Sequence, residues 1–292
     1  MTPAALRLVL GPHRRGRGDP TFTTDPAGGV WRTAWTPAGP GTVRLAVQDG
    51  VLQVSAWGPG AGWLCEHAPD WVGAHDDPTR FRPDRPVLVD GARRTGGPRV
   101  GRTGLVWEAL VPAVLEQKVT GLAARDSWRA LVRRHGVPAP GPTPAPMRVV
   151  PAPRTWAALP DWEWHRAGVT PQRRDTVRRA AAVAARLEQA AGVSSSMLDQ
   201  RLRAVPGVGA WTSAEVRQRA VGDTDAVSVG DLHVPRLVVF ALTGQVDDSD
   251  ERMLAVLEPY RGHRFRVQRL LELTTKAPRF GPRYAPLDVR DR

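Results

Sequence analysis

The chain has 292 residues, a formal net charge of +12, 41% hydrophobic and 24% charged residues. It can bury a core, is too apolar for wholesale disorder, and is basic enough to attract a polyanion. Its single cysteine, Cys65, excludes a disulfide framework, a four-cysteine iron–sulfur cluster and a zinc site built from several thiolates. No uninterrupted run of about 18 apolar residues is present, and the segment Met1 to Arg17 lacks the succession of a signal peptide. A cytoplasmic protein without a membrane partner is expected.

From Leu6 to about Arg99 the chain is cut into short pieces by Gly and Pro. Val43–Val47 and Val51–Trp57 alternate around Asp49-Gly50, the signature of a β-hairpin. Strands are also expected over Leu6–Leu10 and Val30–Thr36, giving a small antiparallel sheet with Trp31, Trp35 and Trp57 packed on a face. At Gly101 the period changes. Val106, Ala109, Leu110, Ala113 and Val114 recur at helical spacing, as do Ala124, Trp128, Leu131 and Val132. A Pro-rich link from Pro138 to Pro153 precedes one long helix over Arg173–Ala191. Further helices are expected at about Ser196–Ala204, Trp211–Ala220, Leu232–Leu242, Asp250–Leu257 and Gly262–Leu273. The fold class is therefore α+β: a β-rich domain over residues 1–100, then an all-helical domain over 101–292.

The informative stretch is Val205-Pro206-Gly207-Val208-Gly209-Ala210-Trp211-Thr212, where one helix stops at Pro206 and another starts after Gly209. The two glycines open backbone conformations closed to other residues and leave amide N–H groups free at a helix N-terminus, a natural seat for phosphate. Taken alone, the same pattern is an ordinary tight turn. Twenty residues after Trp211, Asp231 stands where a helix should begin, which by itself makes it an N-cap.

Taken together, Pro206-Gly207-Val208-Gly209-Ala210-Trp211-Thr212, Gly222-Asp223-Thr224-Asp225-Ala226 and Gly230-Asp231-Leu232 resemble the helix-hairpin-helix base-excision DNA glycosylases, of the 3-methyladenine DNA glycosylase II type. Upstream, Leu115-Glu116-Gln117-Lys118-Val119-Thr120 resembles the interhelical loop that this family inserts into duplex DNA. Gly18-Asp19-Pro20-Thr21 is similar to part of its N-terminal domain. The resemblance implies a cleft between two helical subdomains, double-stranded DNA with damaged bases as partner, a monomer working at the nucleoid, and hydrolysis of the N-glycosidic bond of alkylated purines after base flipping.

It also assigns roles. Asp231 becomes the catalytic carboxylate, because cleavage builds positive charge on the deoxyribose and a fixed anion stabilises that state. Trp211 becomes the π-face of the base pocket, against a plain core role. Glu215 stands where the family often has a pocket tyrosine, and either accepts from a base edge or faces solvent. Arg269 replaces a later aromatic. Gly207, Val208, Gly209, Thr212, Gln117 and Lys118 become DNA contacts, Lys118 as a wedge in the duplex or as one more phosphate partner. The hairpin has Trp211 where glycosylase-lyases place a Schiff-base lysine, so water is the expected nucleophile. His233 and His263 receive no catalytic role. No metal or cofactor is implied beyond a monovalent cation at the hairpin carbonyls. The alternatives are a non-catalytic helix-hairpin-helix DNA-binding protein and a glycosylase for oxidised bases.

Overall fold

The computed structural model describes residues 1–97 and 99–276. The segment expected as the first strand is helix α1 (Pro3–Leu10). The Thr2 side chain accepts the Ala5 N–H, Pro3 opens the first turn, and Leu6, Val9 and Leu10 fall on one buried face. Here capping and an i, i+3, i+4 apolar set prevail over apparent alternation.

Strands β1 (Phe22–Thr24), β2 (Val30–Thr36), β3 (Gly39–Gln48) and β4 (Val51–Trp57) form an antiparallel sheet in that order. Its β3–β4 turn is built on Asp49 and Gly50, both at positive φ (51° and 78°), as the twist of a two-residue hairpin requires. Trp31 and Trp57 stack at 5.1 Å on the sheet. Trp35 instead packs against the helical core. Helix α2 (Ala61–Trp71) covers β3 and β4, and Leu6, Val30, Leu45, Leu64 and Trp71 are among the residues of this first core. Neither α2 nor α3 (Pro86–Thr95) was expected from the sequence.

The second core is helical. Helix α4 (Val106–Leu115) is buried along its whole length. Around it lie α5 (Gly121–His135), α6 (Pro153–Ala158), α7 (Asp161–Arg166), α8 (Pro171–Ala182), α9 (Ala184–Ala191), α10 (Ser195–Arg203) and α11 (Ala210–Ala220). The single long helix expected over Arg173–Ala191 is broken at Val183, whose backbone (φ −118°, ψ 11°) leaves the helical region. A β-branched residue weakens the helix at that point, and the bend lets Ala184 and Leu187 join the same core as Val177 and Ala180. The Pro-rich link carries a two-stranded ladder, β5 (Val137–Pro138) and β6 (Arg148–Val149). Arg148 N–H donates to the Pro20 carbonyl at 2.8 Å and Thr33 Oγ1 donates to the Arg148 carbonyl at 2.6 Å, so the link is sewn to the sheet.

The third core joins α12 (Val234–Thr243), α13 (Asp250–Leu257) and α14 (Arg264–Thr274) to α3 from much earlier in the chain. Two helical subdomains thus flank the junction between α11 and α12. The sheet is fastened to α4 by Glu108, which accepts from Arg32 at 3.2 Å and from the Trp35 N–H. Asp19 ties its loop to α5, accepting from Trp128 Nε1 at 3.1 Å. Among the described residues no helix is long and apolar enough to cross a membrane, and no group of three His, Cys, Asp or Glu side chains could hold a metal.

Candidate active site and nucleic-acid interface

Gly207 has φ +97°, and a Cβ there would lie 2.1 Å from Thr176 Oγ1. Only glycine fits, since conformation and space both forbid a side chain. Val208 is buried in the core, which anchors the turn from beneath, so any contact it makes with DNA is through its backbone. Gly209 is the N-cap of α11, and no side chain caps that terminus. The first amides of α11 are therefore donors without a helical partner, backed by the positive end of the helix dipole. Thr212 is buried, and its hydroxyl accepts from Gln117 Nε2 at 2.8 Å; the same amide donates to the Gly207 carbonyl at 2.9 Å. Gln117 and Thr212 hold the upstream loop against the hairpin with their own side chains. Lys118, the next residue, is exposed at the loop tip with φ +53°.

Two arginines that the sequence did not single out support the hairpin and the loop, one exposed and one buried. Arg179, exposed on α8, donates to the Pro206 carbonyl at 3.2 Å and puts a guanidinium beside the hairpin. Arg173 is buried and donates to the Leu115 carbonyl at 2.8 Å and the Gly168 carbonyl at 2.9 Å, closing the C-terminal end of α4. Burial pushes Arg173 below its usual range. Of the hairpin carbonyls, Gly207 accepts from Gln117 Nε2 at 2.9 Å and Pro206 from Arg179 at 3.2 Å.

Trp211 lies on the second-core side of the junction and Asp231 just ahead of α12, on the third-core side. The indole Nε1–H donates to Asp231 Oδ2 at 2.9 Å. Asp231 Oδ1 accepts the backbone N–H groups of His233 at 2.7 Å and Val234 at 3.0 Å. Helix α12 starts two residues later than expected, at Val234, with Asp231 reaching forward to cap it. The turn before Asp231 is held on two further sides. Gly230 N–H donates to the Asp250 carboxylate at 3.0 Å. Ser228, fully buried, receives Gln218 Nε2 at 3.0 Å and Gln268 Nε2 at 3.1 Å and donates to Glu215 Oε1 at 2.7 Å.

Glu215 does not face solvent. It is 9% exposed and pairs with Arg219 at 2.7 Å, one turn along α11 from Trp211. The pairing pulls Arg219 above its usual range, although burial alone would lower it. Beyond Glu215 lies a cavity of about 100 Å³, lined by His13, Arg99, Gln218, Phe265, Arg269 and Glu272 among others. Its walls come from α1 and the turn after it, from the segment Arg99–Gly101, from α11 and from α14. His233 and His263 do not line it.

No protein-family model matches the chain, and no curated protein matches its sequence. Solved structures do match. A 3-methyladenine DNA glycosylase from Archaeoglobus fulgidus superposes with a TM-score of 0.74 at 16% identity, covering 92% of each chain. The chain has the helix-hairpin-helix DNA glycosylase fold. An 8-oxoguanine glycosylase/lyase from Clostridium acetobutylicum, in complex with double-stranded DNA containing cytosine opposite 8-oxoG, gives 0.70 at 11% identity over 92% of this chain and 90% of that one. The 3-methyladenine DNA glycosylase Mag1 of fission yeast, Schizosaccharomyces pombe, in complex with abasic DNA, gives 0.53 at 16% identity over 64% and 90%.

Proposed function

We propose that this protein is a monofunctional DNA glycosylase that flips a damaged base out of duplex DNA and hydrolyses its N-glycosidic bond, with alkylated purines among its substrates. The observation that carries this reading is the fixed carboxylate of Asp231. Three donors from two subdomains hold it at the junction, beside a tryptophan face and next to a helix N-terminus open to phosphate. A carboxylate so held cannot swing away as charge develops on the sugar, which favours the transition state over the ground state. Trp211 offers an electron-rich face to an electron-deficient alkylated base. A DNA-binding module without activity would need the hairpin but not this second construction.

The hairpin offers no amine. The lysines of the chain are Lys118 and Lys276, so the geometry favours water over a Schiff base as the route, and an abasic strand left intact as the product. Association is largely electrostatic, with log K falling by about 0.9 per neutralised phosphate for each log unit of salt.

The test is Asp231→Asn, which keeps shape and most capping ability but removes the charge. Release of bases from methylated duplex DNA should fall by about two orders of magnitude, the scale of one lost transition-state contact, while binding to the same duplex persists. Release at the parent rate would remove Asp231 from the mechanism.

A further inference from the structure

Strand β4 (Val51–Trp57) ends the sheet on one side, and its outer edge is open. Its register with β3 is even from Gln48↔Val51 to Thr42↔Trp57, without a bulge. The two-residue turn at Asp49-Gly50 makes Gln48 and Val51 a hydrogen-bonded pair, and such pairs alternate along an antiparallel ladder. Val51, Gln53, Ser55 and Trp57 therefore spend their backbone groups on β3, whereas Leu52, Val54 and Ala56 each aim an N–H and a C=O away from the sheet. Among the described residues no other stretch of backbone bonds to those groups. An open edge is a template for another strand, and natural sheets blunt it with charge, proline, a bulge or shortness. The opposite edge is blunted in this way, because β1 (Phe22–Thr24) has three residues. The β4 edge is not. It is seven residues long and reads Val-Leu-Gln-Val-Ser-Ala-Trp, without a charge or a proline, in a chain of net charge +12. Val51, at its start, is 59% exposed.

We propose that β4 is the interface of a homodimer, in which the edges of two copies pair antiparallel about a two-fold axis at Val54 and the two sheets become continuous. In that register the strand is complementary to itself, as an isologous contact requires. Leu52 meets Ala56 of the second copy, Val54 meets Val54, and Ala56 meets Leu52. These are the residues with free backbone groups, so each pair exchanges both of its N–H···O bonds. Leu52, Val54 and Ala56 already pack against the first core, and apolar contact thus runs across the joint on that face. On the other face Gln53 meets Ser55, and the exposed Val51 is covered by Trp57, a branched side chain against an aromatic ring. No pair sets like charges together, which matters when each copy carries +12. A foreign strand would have to match this pattern residue by residue; a second copy does so by symmetry. One strand pair lies at the small end of specific interfaces, so the dimer forms in a concentration-dependent way. Pairing at β4 is independent of the glycosylase activity proposed above, and it replaces the monomer implied by the resemblance.

The experiment is sedimentation of the full chain without DNA, over a range of concentration, for the parent and for two double variants, Gln53→Lys with Ser55→Lys and Gln53→Glu with Ser55→Glu. Both positions are exposed, and thermal unfolding of each variant checks that the fold is kept. Position 53 of one copy faces position 55 of the other, so each double variant alone sets like charges against each other. The parent should pass from the mass of one chain to that of two as its concentration rises. Each variant alone should need at least about 10-fold more protein to do so, and an equimolar mixture of the two should regain the parent's association, because opposite charges then meet. In the parent, hydrogen exchange at the Leu52, Val54 and Ala56 amides should slow as concentration rises. A parent that stays a single chain up to about 0.1 mM, exchange at those amides that ignores concentration, association that neither variant weakens, or folded variants that fail to associate when mixed would each overturn the homodimer.

Discussion

In the mechanism proposed above Trp211 contributes two sets of atoms, its ring face and its indole N–H, and they can be separated. Phenylalanine keeps a face but cannot donate to Asp231 Oδ2, at present 2.9 Å away. A hydrogen bond to a charged acceptor contributes about 1.5–3 kcal/mol, so Trp211→Phe should slow excision at least about 10-fold without weakening DNA binding. A rate equal to the parent's, measured under single turnover, would assign Trp211 to stacking alone. The indole–carboxylate bond was not legible in the sequence, which shows two residues twenty positions apart and nothing of how α11 and α12 are set. Glu215 makes the complementary case. Its place on α11 could be read, but whether that face meets solvent or a neighbour depends on Ser228 and Arg219, which only packing brings to it.

At the scale of elements, the loop between α4 and α5 is held as part of the same device as the hairpin. Arg173 closes the end of α4, Gln117 bonds to Gly207 and Thr212, and Lys118 is left exposed at the tip in a conformation that costs a non-glycine residue on the order of 1 kcal/mol. An exposed, strained residue with a four-carbon stem suits filling the gap a flipped base leaves, with its ammonium reaching a phosphate. Lys118→Ala should therefore slow excision from a duplex several-fold more than excision from a single strand with the same lesion. Equal slowing on both, reversed by lowering the salt, would reduce Lys118 to a phosphate contact. The motif on each side of this device was readable, because glycine, proline and helical periodicity are local signals. The Gln117 bridge was not: glutamine on a loop has no signature of its partner.

Across the whole molecule, the sheet and the helical core meet at Glu108. Burial lifts its carboxyl to about 7, over the opposing pull of Arg32 and the Trp35 N–H. Its folded value thus exceeds its ordinary value of 4.5. Between the two the folded state binds the extra proton, so this contribution to stability is full below about 4.5, falls as pH rises, and is level again above about 7. Half-buried Glu188, desolvated in the same way, shifts in the same direction. Glu108→Gln should flatten the decline in urea midpoint between pH 5 and pH 7.5. A decline as steep as the parent's would place its origin elsewhere.

The sequence by itself determined the β-hairpin at Asp49-Gly50, the change to helical periodicity at Gly101, the glycine hairpin and the position of Asp231, because each rests on neighbours within a turn or two. It misread Leu6–Leu10, where capping outweighed alternation, and it ran one helix through Val183. Only the tertiary structure decided that α3 packs on α14, that Trp35 packs against the helical core, and that His13, Glu215 and Arg269 share one cavity. Those outcomes depend on which buried surfaces and charges meet across long stretches of chain, and burial is a property of the packed whole rather than of any local pattern.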